Sequence, residues 1–311
     1  MDAATLLEDD MMIRTGLVGL LLLLPLCATA EQYITIIQGL DGNEEYGKQF
    51  TAQSEKLLAA ASSVTGKDQV KLLNGDAASR EQVQAHFDAL AKAMKPADRL
   101  TVYLVGHGSY DGFEYKFNIP GPDLTGDDLA NMLGAQPAKQ QIIVNLGSSS
   151  GATQTLLKAD NRTVVTATRN GEERLATRFG TYFANALEDS AADINKNEAV
   201  SLQEAFDYAG RMVKDYFESQ GQLATEHAVM EGGQAAQLVL ARMSKRPAQG
   251  ADPELVQLVQ QREQLDISIE QLQLRKAEMA PEQYMNELQQ LMIDLSVVQD
   301  RIDSKEAPGA E

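Results

Sequence analysis

Residues 100–109 read LTVYLVGHGS, and residues 141–151 read QIIVNLGSSSG. Each is an apolar, β-branched run that breaks into a glycine-containing loop. Short runs that are apolar at nearly every position suit strands covered on both faces of a sheet. The same pattern recurs at Tyr33–Ile37, Val70–Leu73 and Thr163–Ala167. Between these runs, Gln49–Val64, Val83–Met94, Arg174–Leu187 and Leu202–Ser219 read as helices, and Ser79 with Gln82 reads as a capping box ahead of the second. Strands separated by helices make right-handed βαβ units. The fold class is therefore α/β, a mostly parallel sheet with helices on both faces. Ligands bind such sheets at the carboxyl ends of the strands. That is where the loops 106–109 and 145–151 begin.

If these two strands are neighbours, His107 meets Ser148, Ser149 and Ser150 at one edge of the sheet. A histidine base, a hydroxyl and glycine-loosened backbone amides are the parts of acyl transfer. One reading of the two loops is simply structural, as Gly/Ser turns after buried strands. A second takes Gly147-Ser-Ser149-Ser-Gly151 as a G-x-S-x-G nucleophile elbow. There Ser149 attacks, Asp193 or Asp207 and then His227 follow in chain order, and Gly106-His107-Gly108 stands in for the oxyanion loop.

The third reading rests on more blocks. His107-Gly108 ends one strand, and Ser148-x-Ser150-Gly151 ends another. Thr166-Ala-Thr-Arg169, Ala176-Thr-Arg-Phe179, Ser201-Leu202 with Glu204-Ala-Phe206, and Ala224-Thr-Glu-His-Ala228 follow. With these blocks, residues 33–232 resemble the caspase–legumain class of cysteine peptidases, in particular bacterial exported proteins of the legumain type. The resemblance implies a caspase-like sheet, His107 as the catalytic histidine, and Ser148 in the place of the nucleophilic cysteine. It implies an oxyanion and substrate side formed by Gly108, Gly147 and Arg169. One further departure is Asn145, which lies one place too early for the acidic residue usual ahead of the cysteine.

The replacement has a chemical consequence. A thiol near pKa 8.5 is a few per cent thiolate at neutral pH, whereas a hydroxyl needs a tightly coupled base held by a third group. No such third group for His107 is assignable from sequence. The expectation is a peptidase-like protein that binds a peptide or protein ligand, or regulates, without cleaving. The alternatives are an active serine hydrolase using Ser148 or Ser149 with a histidine, and an envelope scaffold acting through its C-terminal helices.

A separate segment, Asp193 to Glu204, has the twelve-residue order of an EF-hand loop. Asp193, Asn195, Asn197, Ala199 (through its carbonyl), Ser201 and Glu204 are the candidate calcium ligands. Glu198 stands where glycine usually makes the turn. Two clear carboxylates suit a weak site, with Kd ~10⁻⁴–10⁻³ M. Read without metal, the same segment is a helix-capping loop, with Ser201 and Glu204 as a capping box. No cofactor is required by the reading.

The single cysteine, Cys27, lies in the apolar run Gly16–Ala30, which ends Ala28-Thr-Ala30. That run is short for a bilayer span of ~20 residues and reads as a cleaved export signal, residues 1–30, giving a periplasmic or secreted protein with no membrane span. A retained helix and a lipoprotein modified at Cys27 are the other readings. Acidic Asp2, Glu8, Asp9 and Asp10 oppose export, so the start is placed at Met11 or Met12. The chain carries a net charge of −18, and removing 1–30 deletes four acids and one arginine to leave −15. Such acidity makes a poor binder of nucleic acid or anionic membranes, and no nucleic-acid partner is expected. No zinc cluster, Walker loop or dinucleotide fingerprint is present. Residues 31–245 form the main domain, 246–252 a linker and 306–311 a disordered tail. Residues 253–305 carry heptad-spaced apolar positions, with Leu258, Leu265, Ile269, Leu272 and Met279 before Pro281, and Tyr284, Leu288, Leu291, Leu295, Val298 and Ile302 after it. They read as an antiparallel helical, coiled-coil hairpin that folds back on the domain or pairs with another copy.

Overall fold

The computed structural model describes residues 31–233, 235–243, 252–274, 276 and 279–306. The expected export signal at 1–30, nearly all of the expected linker and residues 307–311 lie outside the described residues. Among the described residues, no helix is long and apolar enough to cross a membrane.

Six strands form the main sheet: β1 (Gln32–Gln38), β2 (Val70–Leu73), β3 (Arg99–Val105), β7 (Gln140–Asn145), β8 (Arg162–Thr166) and β10 (Val229–Glu231). Their order is β10-β8-β7-β3-β1-β2, all parallel except β10. The apolar runs alternate between two cores, as a pleated strand requires. Ile34, Ile36, Tyr103, Val105, Ile142, Val144 and Val165 face α1 (Glu44–Val64), α5 (Phe179–Ala186) and α6 (Leu202–Ser219). Ile37, Leu100, Val102, Leu104, Ile143 and Val164 face α2 (Arg80–Ala93), α3 (Gly126–Gly134) and the short α4 (Gln154–Leu157). Both faces are covered, as the sequence pattern requires.

Several boundaries differ from expectation. α1 starts at Glu44 rather than Gln49, because the Asn43 side chain caps it, accepting the Tyr46 N–H at 2.9 Å, and Glu44 and Glu45 favour the helix N-terminus. α5 starts at Phe179 rather than Arg174. Its cap comes from Glu226, whose carboxylate accepts the N–H groups of Arg178 and Phe179 across 48 and 47 residues. The Ser79–Gln82 box is not made: Ser79 is the N-cap of α2, but its side chain makes no capping bond.

Two small sheets escape the periodicity reading because their strands are two to four residues long. β4 (Gly108–Tyr110), β5 (Tyr115–Phe117) and β6 (Leu124–Thr125) form an antiparallel sheet leading into α3. β9 (Ala199–Ser201) pairs antiparallel with β11 (Val239–Arg242).

The C-terminal helices α7 (Pro253–Leu274) and α8 (Pro281–Glu306) run antiparallel. Arg301 and Lys305, late in α8, pair with Glu254 and Asp252 at the start of α7. Heptad positions Leu258, Ile269, Leu272, Tyr284, Val298 and Ile302 are buried. The hairpin meets the domain through Arg262, whose nearly buried guanidinium lies 3.2 Å from Glu198 Oε2 and from Gln299 Oε1.

Candidate functional site

Strand register assembles the site. Leu104 pairs with Asn145, and Asn145 with Thr166. His107, Ser148 and Arg169 each lie three residues beyond those paired positions, so they stand in a row at the carboxyl edge. The two loops also touch through their glycines. A Cβ added to Gly108 would meet Ser148 O at 2.4 Å, and one added to Gly147 would meet Gly106 O at 3.0 Å and Gly108 N at 3.3 Å. Side chains at those positions would separate histidine from serine.

His107 is held by its neighbours. Its ring packs edge-on against Tyr46 (4.6 Å between centroids) and Phe50 (5.0 Å), both on α1. Its Nε2 lies 3.3 Å from the Asp41 carbonyl oxygen. Asp41 therefore takes the orienting role that could not be assigned from sequence, through its backbone, which is why side-chain types gave no signal. His107, Ser148, Tyr46, Phe50 and Leu146 line a cavity of about 10 Å³, room for about one water molecule. No hydrogen bond joins His107 to Ser148, and Ser148 is 5% exposed.

Ser149 is different. It is fully buried, left-handed at φ 54°, and its Oγ has no hydrogen-bond partner among the described residues. Its strained turn between β7 and the following 3-10 segment fits an elbow, but a substrate has no access to that hydroxyl. The loop amides are largely committed to the fold: Gly147 N–H donates to Asn145 Oδ1 (3.2 Å), Ser149 N–H to Glu173 O (2.9 Å) and Gly151 N–H to Thr168 Oγ1 (2.8 Å). Ser150 Oγ accepts the Thr168 N–H at 3.2 Å.

Glu173 emerges as the organiser. Its carbonyl holds Ser149, while its carboxylate accepts Arg169 N–H (2.8 Å), His227 N–H (3.0 Å) and His227 Nδ1 (2.6 Å). The His227 partner lies 54 residues away, so no local pattern exposes the pair. His227 thus reaches the serine loop through Glu173 and not through Ser149 directly. Asp193 and Asp207 are not its partners: Asp193 serves its own loop, and Asp207 accepts from Gln203. Next to His227, Glu226 is 4% exposed, and burial raises its pKa despite the amides it accepts. His86, a packing residue, lies 2.9 Å from Thr35 Oγ1, and burial with nearby Lys71 lowers its pKa to about 4.

The segment 193–204 folds as a tight loop ending in β9 and α6. Asn197 and Glu198 N–H groups donate to the two Asp193 oxygens (3.1 and 3.0 Å). Asn195 Oδ1 accepts the Asn197 N–H, and Asn197 Oδ1 the Ala199 N–H. Glu204 completes the capping box with Ser201 and also accepts the Ile194 N–H at 3.0 Å. Glu198 adopts φ 60° without being glycine, and its carboxylate pairs with Arg262 of the hairpin. Among the described residues no group of three or more His, Cys, Asp or Glu is placed to hold a metal.

The sequence model of the Peptidase C13 family matches residues 43–241, well over half of the chain. The chain belongs to the Peptidase C13 family. The parallel sheet with helices on both faces is the caspase-like fold of that family. No curated protein matches the chain. Among solved structures, one from Geobacter sulfurreducens is similar at a TM-score of 0.45 and 14% identity, covering 68% of this chain and 97% of its own.

Proposed function

We propose that this protein is an exported member of its peptidase family that binds peptides at the carboxyl edge of the sheet without hydrolysing them. One observation carries the reading: His107 and the serine at the nucleophile position border the same small cavity yet share no hydrogen bond. Attack by serine needs its proton taken by a base already within reach. His107 directs Nε2 at the Asp41 carbonyl and packs edge-on against two aromatic rings, and its other ring nitrogen makes no hydrogen bond to Ser148. Residues 31–311 contain no cysteine to substitute. Calcium at 193–204 and self-association through the hairpin belong to the same proposal, as modulators of the domain.

The test is a peptide-library turnover assay on residues 31–311, wild type and Ser148→Cys. Wild type is expected to bind library peptides without product formation. Ser148→Cys is expected to gain hydrolysis that iodoacetamide abolishes, because the introduced thiol is the only one present. Wild-type turnover that disappears in Ser148→Ala or His107→Ala would overturn the reading. The strained turn at Ser149 favours one alternative, a serine hydrolase of the elbow type, and fluorophosphonate labelling at Ser149 would establish it.

A further inference from the structure

His227 also borders a cavity of about 490 Å³. Its walls are Phe179, Phe206, Val213, Phe217 and Ala228, with Leu223, 91% exposed, on the rim. Phe179 and Phe206 meet edge to face at 5.7 Å. Size and lining match pockets that bury an apolar ligand group.

A glycine marks the cavity as open space that the sequence tolerates at a cost. Gly210 lies inside α6 and lines the cavity. A Cβ built there meets nothing within 4 Å, and the residue has no positive φ. Neither close packing nor backbone conformation requires glycine, although glycine inside a helix is unfavourable. What it does leave is an empty volume above the helix.

The cavity is tied to the serine loop through His227. His227 lines it and is bonded to Glu173, which holds Ser149 and Arg169. We infer that this cavity is a subsite for a large apolar side chain, phenylalanine or leucine in type, of a peptide lying along the carboxyl edge. The inference rests on the peptide-binding reading and names the residue class that peptide carries. An aromatic side chain offers large buried area with few rotors to immobilise, and the phenylalanine walls suit an edge-to-face partner.

The experiment uses two fluorescein-labelled octapeptide pools, degenerate except for a central Phe in one and Ser in the other. Fluorescence anisotropy measures their binding to residues 31–311. The Phe pool is expected to bind wild type about tenfold tighter or more, from burial of one aromatic side chain. Gly210→Leu, whose Cβ has open space at a residue lining the cavity, is expected to erase that preference while its Tm stays equal or rises. Gly210→Ala, too small to fill the space, is expected to keep it. Binding with no preference for Phe, or a preference surviving in Gly210→Leu, overturns the subsite and leaves peptide binding standing. Absence of binding by both pools overturns both. Sodium decanoate displacing the Phe pool at the peptide's own affinity assigns the cavity to free lipophiles and overturns the subsite as well.

Discussion

Glu226→Ala tests how a single buried carboxylate ties the site to its helix. The side chain accepts Arg178 N–H at 2.8 and 3.0 Å and Phe179 N–H at 3.1 Å, and so closes the N-terminus of α5. Removing it leaves amide groups at a largely buried helix end without acceptors, at ~1–3 kcal/mol for each buried orphan. Losing the cap costs ~1 kcal/mol by a separate measure of the same loss. Relief of the buried charge offsets part of this, so the net cost is about 2–4 kcal/mol. For a domain of this size 1 kcal/mol moves Tm by roughly 2–4 °C. A fall of about 5–15 °C is therefore expected in thermal melts followed by circular dichroism.

Glu226→Gln keeps one acceptor oxygen and should lose about half as much. The pH dependence has a definite sign. Burial raises the folded-state pKa above the ordinary value of 4.5. The folded protein then binds more protons than the unfolded chain between the two values, and this group's contribution is full below 4.5 and declines as pH rises through the folded pKa. The gap between wild type and Glu226→Gln should narrow as pH rises above 4.5. A Glu226→Ala melt within 1 °C of wild type, or a gap that widens with pH, would refute the reasoning.

Gly151→Ala should destabilise by several kcal/mol, since its Cβ would fall 2.2 Å from Asn170 N and 2.3 Å from the Arg169 carbonyl carbon, both backbone atoms; a native-like urea midpoint would count against it. Calorimetry is expected to give calcium binding at Kd ~10⁻⁴–10⁻³ M, lost in Glu204→Gln, which keeps the helix-capping oxygen; equal heats from both proteins would remove the loop as the site. Met285, Met292, Ile293 and Val297 are exposed on α8, so residues 31–311 should show a larger mass by light scattering than a chain ending at 252 after allowing for the deleted segment, and monomers in both cases would leave the hairpin as a purely intramolecular element.

Much of this molecule is legible in its sequence because the information is local. Buried parallel strands must be apolar at consecutive positions, so the cores of β1, β2, β3, β7 and β8 stand out. Helices α6, α7 and α8 follow from periodicity, a capping box and Pro281. His107-Gly108 and Ser148-x-Ser150-Gly151 are contiguous motifs at strand ends, and composition alone removes the thiol from residues 31–311. What could not be read there depends on contacts between distant residues. The start of α5 depends on Glu226, and the serine loop on Glu173 and His227. Ser149 is fully buried in a left-handed turn while the adjacent Ser148 is 5% exposed, a difference that two identical side chains do not announce. Residue types list the groups able to do acyl chemistry. Only the strand register and the loops folded over it decide that His107 faces the Asp41 carbonyl, that it borders one small cavity with Ser148, and that an apolar cavity opens beside His227. A side chain's chemistry is its own, but its partners are set by chain segments that sequence order keeps far apart.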